Sequence, residues 1–443
     1  MLKISISGVR GIANQSLTPE ICLNFAKAFG TYLKGGKVVV GTDTRSSSEF
    51  IKGIVLSGLI SCGVRVIDLG VVPTPTVGLM VGELKADGGL VVTASHNPPE
   101  WNGLKFIRED GIFLNQSQAE KLIAIYQDRK FSEAPGGSVK HFSRAAEVHV
   151  SRVLKSVRAP LIRRRKFKVV YDACNGAGSL ITKLLLTKLG CKVVAINADP
   201  KRPFPHGAEP NPQNLSQLAE AVKAEKADLG FAQDPDADRL ALVTEQGVAI
   251  SEEYTLALCT RHVLSKPGGG RKIAVINLST SKMTEDIAKS LGAVVLRTKV
   301  GEVNVAEEIK REGARIGGEG NGGVIYPKIG YMRDSLSGIA LILEALAASD
   351  QSLSQIIDQL PRYFMYKTKI ECLSQKAAED LLERSQEIFK AQTLDLTDGL
   401  KVYLPEGSLH IRGSNTEPIV RIIAEAKSEE TARRLAEDLR SRL

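Results

Sequence analysis

The stretch ADLGFAQDPDADR, residues 227–239, decides the fold: an apolar strand ends abruptly in a loop that sets Asp234, Asp236 and Asp238 at alternating positions. Upstream lie KFKVVYDACNGAG (166–178) and KVVAIN (192–197), short β-branched runs separated by helical stretches. That alternation is the pattern of βαβ units and parallel sheets. The same rhythm occurs earlier, in KVVVGTD (37–43), RVIDLGVV (65–72) and GGLVVTAS (88–95). It returns in RKIAVINLSTS (271–281), AVVLRTKVG (293–301) and ARIGGEGNGGVIYP (314–327). Three similar α/β sandwiches are therefore expected, each with apolar strands that stop at Gly, Ser, Thr, Asn or Asp. From about residue 366 the pattern changes. Helical AAEDLLERSQEIFKAQ and EETARRLAEDLRSRL flank the strands LKVYLPEGSLHIRG and PIVRIIAEA, which predicts helices on an antiparallel sheet. The expected domains are 1–150, 151–252, 253–365 and a C-terminal α+β unit, 366–443.

The length of 443 residues fits several domains rather than one core, and 43% hydrophobic with 25% charged residues is a globular composition. The longest apolar run, IALILEALAA at 339–348, is far short of a membrane span. MLKISISGVRGIAN at the N-terminus lacks the apolar core of a signal peptide, and six cysteines are scattered singly. A cytoplasmic protein is expected, with no membrane partner. The net charge of +9 suits either nucleic acid or a small anion. Aromatic residues are only 5% of the chain, and the densest basic run, Arg163 to Lys166, reads as a solvated linker before a strand. The stacking and positive groove of a nucleic-acid reader are not visible, so no nucleic-acid partner is expected.

In open α/β sheets ligands bind beyond the carboxyl ends of strands, so the polar strand ends are where chemistry is sought. TASHNPPEWNGLKF (93–106) exposes the Ser95 hydroxyl on a loop stiffened by two prolines. An ordinary strand-ending turn has the same look, and no Gly-x-Ser-x-Gly elbow marks an acyl transferase. In DPDADR (234–239) three carboxylates on one short loop repel each other, and a hard divalent cation relieves that. The competing reading is a solvated acidic loop. RGSNTEPIVR (412–421) surrounds a turn with two guanidinium groups and several donors, an inventory that suits a phosphate or, alternatively, a helix cap with surface arginines. GEGNGG (318–323) formally matches a dinucleotide fingerprint, but VIYP follows as a strand, so no helix N-terminus awaits a pyrophosphate. A flexible polar loop presenting Glu319 and Asn321 to hydroxyl groups is the better reading. SGVRG (7–11) and GTDTRSSS (41–48) each place one arginine among small residues at a strand end and are weak as lone signals.

Taken together, SGVRG, TASHNPPEWNGLK, DPDADR, GGEGNGG and RGSNTEPIVR resemble, in order and over essentially the whole chain, the α-D-phosphohexomutases, the family of phosphoglucomutase, phosphomannomutase and phosphoglucosamine mutase. The resemblance implies four domains around a central cleft. It also implies an enzyme that interconverts hexose 1-phosphate and hexose 6-phosphate through a hexose 1,6-bisphosphate. On this resemblance Ser95 is a phosphoserine, and Asp234, Asp236 and Asp238 hold one Mg²⁺ against its phosphoryl group. Arg10, His96 and Lys105 match positions that contact that group or relay protons, with Lys105 as general base. Arg239, Glu319 and Asn321 take the sugar. Arg412, Ser414, Asn415, Thr416 and Arg421 take the phosphate that is not being transferred. The partner implied is a phosphosugar, and the assembly a monomer or homodimer.

The chain departs from the family in carrying Asn321 and Gly323 where many members have serine and histidine, so one candidate proton carrier is missing. Gly413 and Asn415 stand where proline and glycine are commoner. These loops look closer to the archaeal-type phosphoglucosamine and phosphomannose/phosphoglucose mutases, and they favour glucosamine phosphate. The competing classes are a Mg²⁺-dependent sugar-phosphate phosphatase, which has no need of the distant arginine pair, and a sugar-phosphate sensor that binds without turnover.

Overall fold

A computed structural model describes residues 2–268, 270–413 and 418–443. In the first sheet Lys37–Thr42 is flanked in parallel by Arg65–Val71 and Gly88–Val92, and Trp101–Arg108 returns antiparallel beside Gly88–Val92. The second sheet repeats this with Lys168–Asp172 between Lys192–Ile196 and Leu229–Gln233, and Leu240–Thr244 returning. The third has Ile273–Asn277 between Val294–Thr298 and Ile316–Glu319, with Gly323–Ile325 returning. The expected threefold repetition is thus present. The first sheet is larger, extended by Lys3–Ser5 and Gly8–Ile12 on one edge and by Ser138–His141 on the other.

Each repeat ends in an antiparallel strand that a purely parallel reading of the sequence does not anticipate. Leu240–Thr244 is buried at every position, so its pattern cannot be told from that of a parallel core strand. The consequence is positional. The turns between the third parallel strand and the returning strand carry Ser95, Asp234 to Arg239, and Gly320 to Gly322, so three of the loops singled out in the sequence occupy one equivalent place in three sheets.

Among the described residues the C-terminal unit has five strands, all antiparallel, in the order Phe364–Glu371, Ile419–Ala426, Gly407–Gly413, Leu400–Leu404, Thr393–Asp395. Its helices Gln375–Ile388 and Glu429–Arg442 start at Ser374 and Ser428, whose hydroxyls accept the backbone N–H of Ala377 and Thr431. The second and third sandwiches share one continuous core. Helix Ser335–Ser349, which contains the IALILEALAA run, lies in it and is buried on nearly all sides. No helix among the described residues is long and apolar enough to cross a membrane.

The basic run is not a solvated linker. Arg163, Arg164 and Arg165 form the last turn of helix Ala159–Arg165, where cations oppose the negative end of the helix dipole. Arg163 Nε donates to the Lys188 carbonyl at 2.9 Å, and Arg165 pairs with Asp350 and lies over the Phe167 ring.

Candidate functional site

Strand Gly88–Val92 is wholly buried and delivers Ser95 into the interior with only 2% of its surface exposed. Ser95 has φ +51°, a left-handed conformation that costs a non-glycine residue about 1–2 kcal/mol. The surroundings hold it there. The Ser95 backbone N–H donates to Thr93 Oγ1 at 2.9 Å, and Thr93 Oγ1 donates to Asp43 at 2.6 Å. The buried guanidinium of Arg45 donates to Asp43 and to the carbonyls of Ser95 (2.5 Å), Asn97 (2.7 Å), Pro98 (2.5 Å) and Trp101 (3.0 Å). The weak GTDTRSSS signal is therefore the clamp of the serine loop. Replacing Arg45 with alanine strips the buried Asp43 of its cation, and such a loss costs about 3–5 kcal/mol. Urea unfolding followed by the fluorescence of Trp101, the single tryptophan and part of the clamped loop, reads this as a lower midpoint.

The three aspartates are fully buried and their ligand oxygens lie within 4.8 Å of one another. Asp234 Oδ1 accepts the backbone N–H of Asp238 and of Arg239, both at 3.1 Å, and its Oδ2 accepts from Ser95 Oγ at 3.1 Å. Asp236 Oδ2 accepts from Thr74 Oγ1 (2.7 Å) and Lys105 Nζ (2.8 Å). Asp238 Oδ2 accepts from Arg333 at 2.5 Å. Among the described residues Asp236 Oδ1 and Asp238 Oδ1 have no hydrogen-bond partner. Buried carboxylate oxygens are rarely left so, and hard oxygen donors of this kind are what a divalent cation takes. Burial, then the Asp238 and Asp236 charges, push the Asp234 carboxyl well above the usual range. Burial also acts upward on Asp236, but Lys105 and Thr74 outweigh it and hold that carboxyl below the usual range. The donor set fits a metal ion with the Ser95 hydroxyl beside it.

Around this centre His96 Nδ1 lies 3.3 Å from Ser95 Oγ. Burial, then the Arg239 and Arg10 charges, push the His96 ring well below its ordinary value. Arg10 donates to Asn97 Oδ1 at 3.3 Å, and Arg239 pairs with Glu209 at 2.9 Å.

Glu319 does not sit on a flexible loop. It is the last residue of strand Ile316–Glu319 and is 4% exposed. Its Oε1 accepts from Asn277 (2.8 Å) and the Gly301 N–H (3.0 Å), and its Oε2 accepts from Arg333 (2.7 Å). Burial acts to raise this carboxyl, but Arg333, Asn277 and Gly301 outweigh it, so the net direction is down. Asn321 Oδ1 accepts the Gly323 N–H at 3.2 Å.

Arg412 and Arg421 are direct cross-strand partners in adjacent antiparallel strands, and Arg412 also pairs with Asp398 at 3.2 Å. Both line a cleft of about 990 Å³ together with His96, Arg239, Glu319 and Asn321. Ser95, the aspartates and Lys105 lie behind that lining, against His96 and Arg239. The lining also carries Glu209, Glu252 and Glu253, so the cleft is not uniformly basic. Ser414, Asn415 and Thr416 lie outside the described residues. Sequence reasoning missed Thr74, Asn277 and Arg333. Arg333 precedes Asp334, whose carboxylate caps helix Ser335–Ser349, and that cap signal alone was open to reading.

Four domain descriptions of phosphoglucomutase/phosphomannomutase match in order: α/β/α domain I over residues 2–133, domain II over 147–247, domain III over 251–364 and the C-terminal domain over 370–442. The chain is 42% identical over 440 residues to a phosphoglucomutase/phosphomannomutase of Thermococcus kodakarensis, covering 97% of this chain and 96% of that one. It is 36% identical over 443 residues to a phosphoglucosamine/phosphogalactosamine mutase of Sulfurisphaera tokodaii, covering 98% and 97%. The crystal structure of a phosphoglucomutase/phosphomannomutase family protein from Burkholderia thailandensis superposes with a TM-score of 0.86 at 28% identity, over 100% of this chain and 98% of that one. The chain belongs to the phosphoglucomutase/phosphomannomutase family of mutases.

Proposed function

We propose that this enzyme interconverts hexose 1-phosphate and hexose 6-phosphate through a phosphoserine at Ser95, with glucosamine phosphate favoured. The observation that carries the reading is the placement of Ser95 Oγ, 3.1 Å from Asp234, behind a cleft whose lining includes the cross-strand pair Arg412 and Arg421. In the first half-reaction the Oγ–P bond of phosphorylated Ser95 breaks and a bond forms from phosphorus to the free sugar hydroxyl. The hydroxyl proton leaves to a base, and the departing Ser95 Oγ takes up a proton to become the free hydroxyl. The resulting hexose 1,6-bisphosphate turns over in the cleft and returns its other phosphoryl group to Ser95.

Positioning and charge neutralisation do most of the work in such transfers. Asp234, Asp236 and Asp238 would hold Mg²⁺, which supplies positive charge against the phosphoryl oxygens. Arg10 stands beside the serine loop through Asn97 and adds to that charge. His96 stands beside Ser95 Oγ, but burial and the Arg239 and Arg10 charges oppose its protonation and make it a weak proton acceptor. Lys105 acts as general base only if its hydrogen bond to Asp236 is given up. Arg412 and Arg421, with Ser414, Asn415 and Thr416, would clamp the idle phosphate, and Arg239, Glu319 and Asn321 the sugar. Three acceptor positions on Glu319 are already filled, so it has one left for a hydroxyl. The domain boundaries near 150, 252 and 365 and a cytoplasmic setting belong to the same reading.

A second reading of the sugar, glucose or mannose phosphate, is favoured by the 42% identical relative named a phosphoglucomutase/phosphomannomutase. The test is a turnover panel of glucose 1-phosphate, mannose 1-phosphate and glucosamine 6-phosphate with Mg²⁺ and a trace of glucose 1,6-bisphosphate. Isomer formation without inorganic phosphate is expected, fastest with glucosamine 6-phosphate. Release of inorganic phosphate without isomer would make the protein a phosphatase.

A further inference from the structure

Arg333 appears in no motif read from the sequence, yet its guanidinium joins three separate parts of the centre. Nη2 donates to Asp238 Oδ2 at 2.5 Å and Nη1 to Glu319 Oε2 at 2.7 Å, while Nε lies 3.1 Å from Glu302 Oε2. Its backbone N–H donates to Glu302 Oε1 at 2.7 Å, while Nε, within ion-pair range of the same carboxylate, has no hydrogen-bond partner among the described residues. Arg333 is 8% exposed, and Asp238, Glu319 and Glu302 are at most 9% exposed. Only a planar, five-donor fork serves carboxylates in different directions at once; an ammonium is a point charge.

The room for this side chain comes from the sugar loop. A Cβ built on Gly323 would lie 2.2 Å from Arg333 Cδ and 2.9 Å from its Cγ. Any side chain at 323 therefore displaces Arg333. The glycine, which stands where a larger residue is common in resembling chains, and the arginine ten positions on are one arrangement.

Arg333 also decides which atoms remain available on its partners. On Asp238 it takes Oδ2 and leaves Oδ1 without a hydrogen bond among the described residues. On Glu319 it takes Oε2, while Asn277 and Gly301 fix Oε1. We infer that Arg333 is a positioning residue that sets the sugar-facing carboxylate Glu319 from the same guanidinium that sets Asp238, in a space that Gly323 must keep open. The inference rests on the mutase reading for what Glu319 meets in the cleft.

The experiment compares wild type, Gly323→Ala, Arg333→Lys and the double variant Gly323→Ala/Arg333→Ala beside Arg333→Ala. Glucosamine 6-phosphate binding is measured by calorimetry with and without Mg²⁺, alongside kcat, KM and thermal melting. Partners that orient ligating carboxylates contribute about 10–100-fold. Gly323→Ala and Arg333→Lys are each expected to weaken sugar-phosphate binding about tenfold and raise KM in parallel, with KM more affected than kcat. Gly323→Ala should cost clearly less once Arg333→Ala has removed the side chain it collides with, the remaining close neighbour of the added Cβ being Asn321 Oδ1 at 3.0 Å. Binding within twofold of wild type in both charge-retaining variants overturns the inference, as does a fully additive double variant. Should Arg333→Ala not fold, the two charge-retaining variants decide. A wild-type enzyme that binds the sugar phosphate but forms no isomer overturns the functional reading and leaves the binding comparison standing.

Discussion

Ser95→Ala is expected to lower kcat/KM for isomer formation by at least about 10³-fold, which is about 4 kcal/mol of lost transition-state stabilisation. The size follows from the geometry. Ser95 Oγ is the hydroxyl held against both the aspartate cluster and His96, at 3.1 and 3.3 Å, and its backbone is kept at φ +51° by Thr93 and Arg45. Alanine keeps the loop, because those bonds run through the main chain, and removes the atom proposed to carry the phosphoryl group. The variant should therefore melt near wild type and still bind sugar phosphate. Intact mass supplies the second check: wild type incubated with glucose 1,6-bisphosphate should gain about 80 Da, and Ser95→Ala should not. A variant that still turns over at the wild-type rate would remove Ser95 from the mechanism.

The parts of this site that were legible in the sequence are those whose chemistry is contiguous along the chain. Asp234, Asp236 and Asp238 lie within five residues, and a strand before them shows which end of the sheet they occupy. Arg333 was not legible, because its meaning depends on Asp238, 95 positions away, and on a space at Gly323 that only the folded hairpin defines. Arg45 was seen and undervalued: one guanidinium among small residues gives no hint that four carbonyls of another loop converge on it. The threefold repetition was readable because strand ends repeat the same polar residues. The returning antiparallel strands were not, since burial on both faces erases the alternation that marks an edge. The basic run was misplaced for a related reason. Helix Ala159–Arg165 is two turns long and has proline as its second residue, so it shows too little periodicity to be distinguished from a linker.

Asp234→Asn is expected to act in opposite directions with and without metal, which separates a metal site from an acidic loop. Asparagine keeps the shape, and its Oδ1 can still accept the N–H groups of Asp238 and Arg239. It removes one of three buried negative charges and one hard oxygen donor. In chelator the variant should melt at or above wild type, because burial and the charges of Asp238 and Asp236 oppose ionisation of Asp234. A ligand at 100 times its Kd stabilises the folded state by about 2.7 kcal/mol, so saturating Mg²⁺ should raise the melting temperature of wild type. The variant should gain little, and the order of the two melting temperatures should reverse. Loss of a fixed charge that stabilises the transition state costs about 10²–10³ in kcat, the fall expected here in the presence of Mg²⁺. Asp236→Asn is the contrast: it removes the negative charge that pairs with the buried Lys105 at 2.8 Å, so it should be less stable than wild type in both conditions. If Asp234→Asn gains as much from Mg²⁺ as wild type does, the ion is not held here, and the two oxygens on Asp236 and Asp238 that have no hydrogen bond among the described residues need another partner.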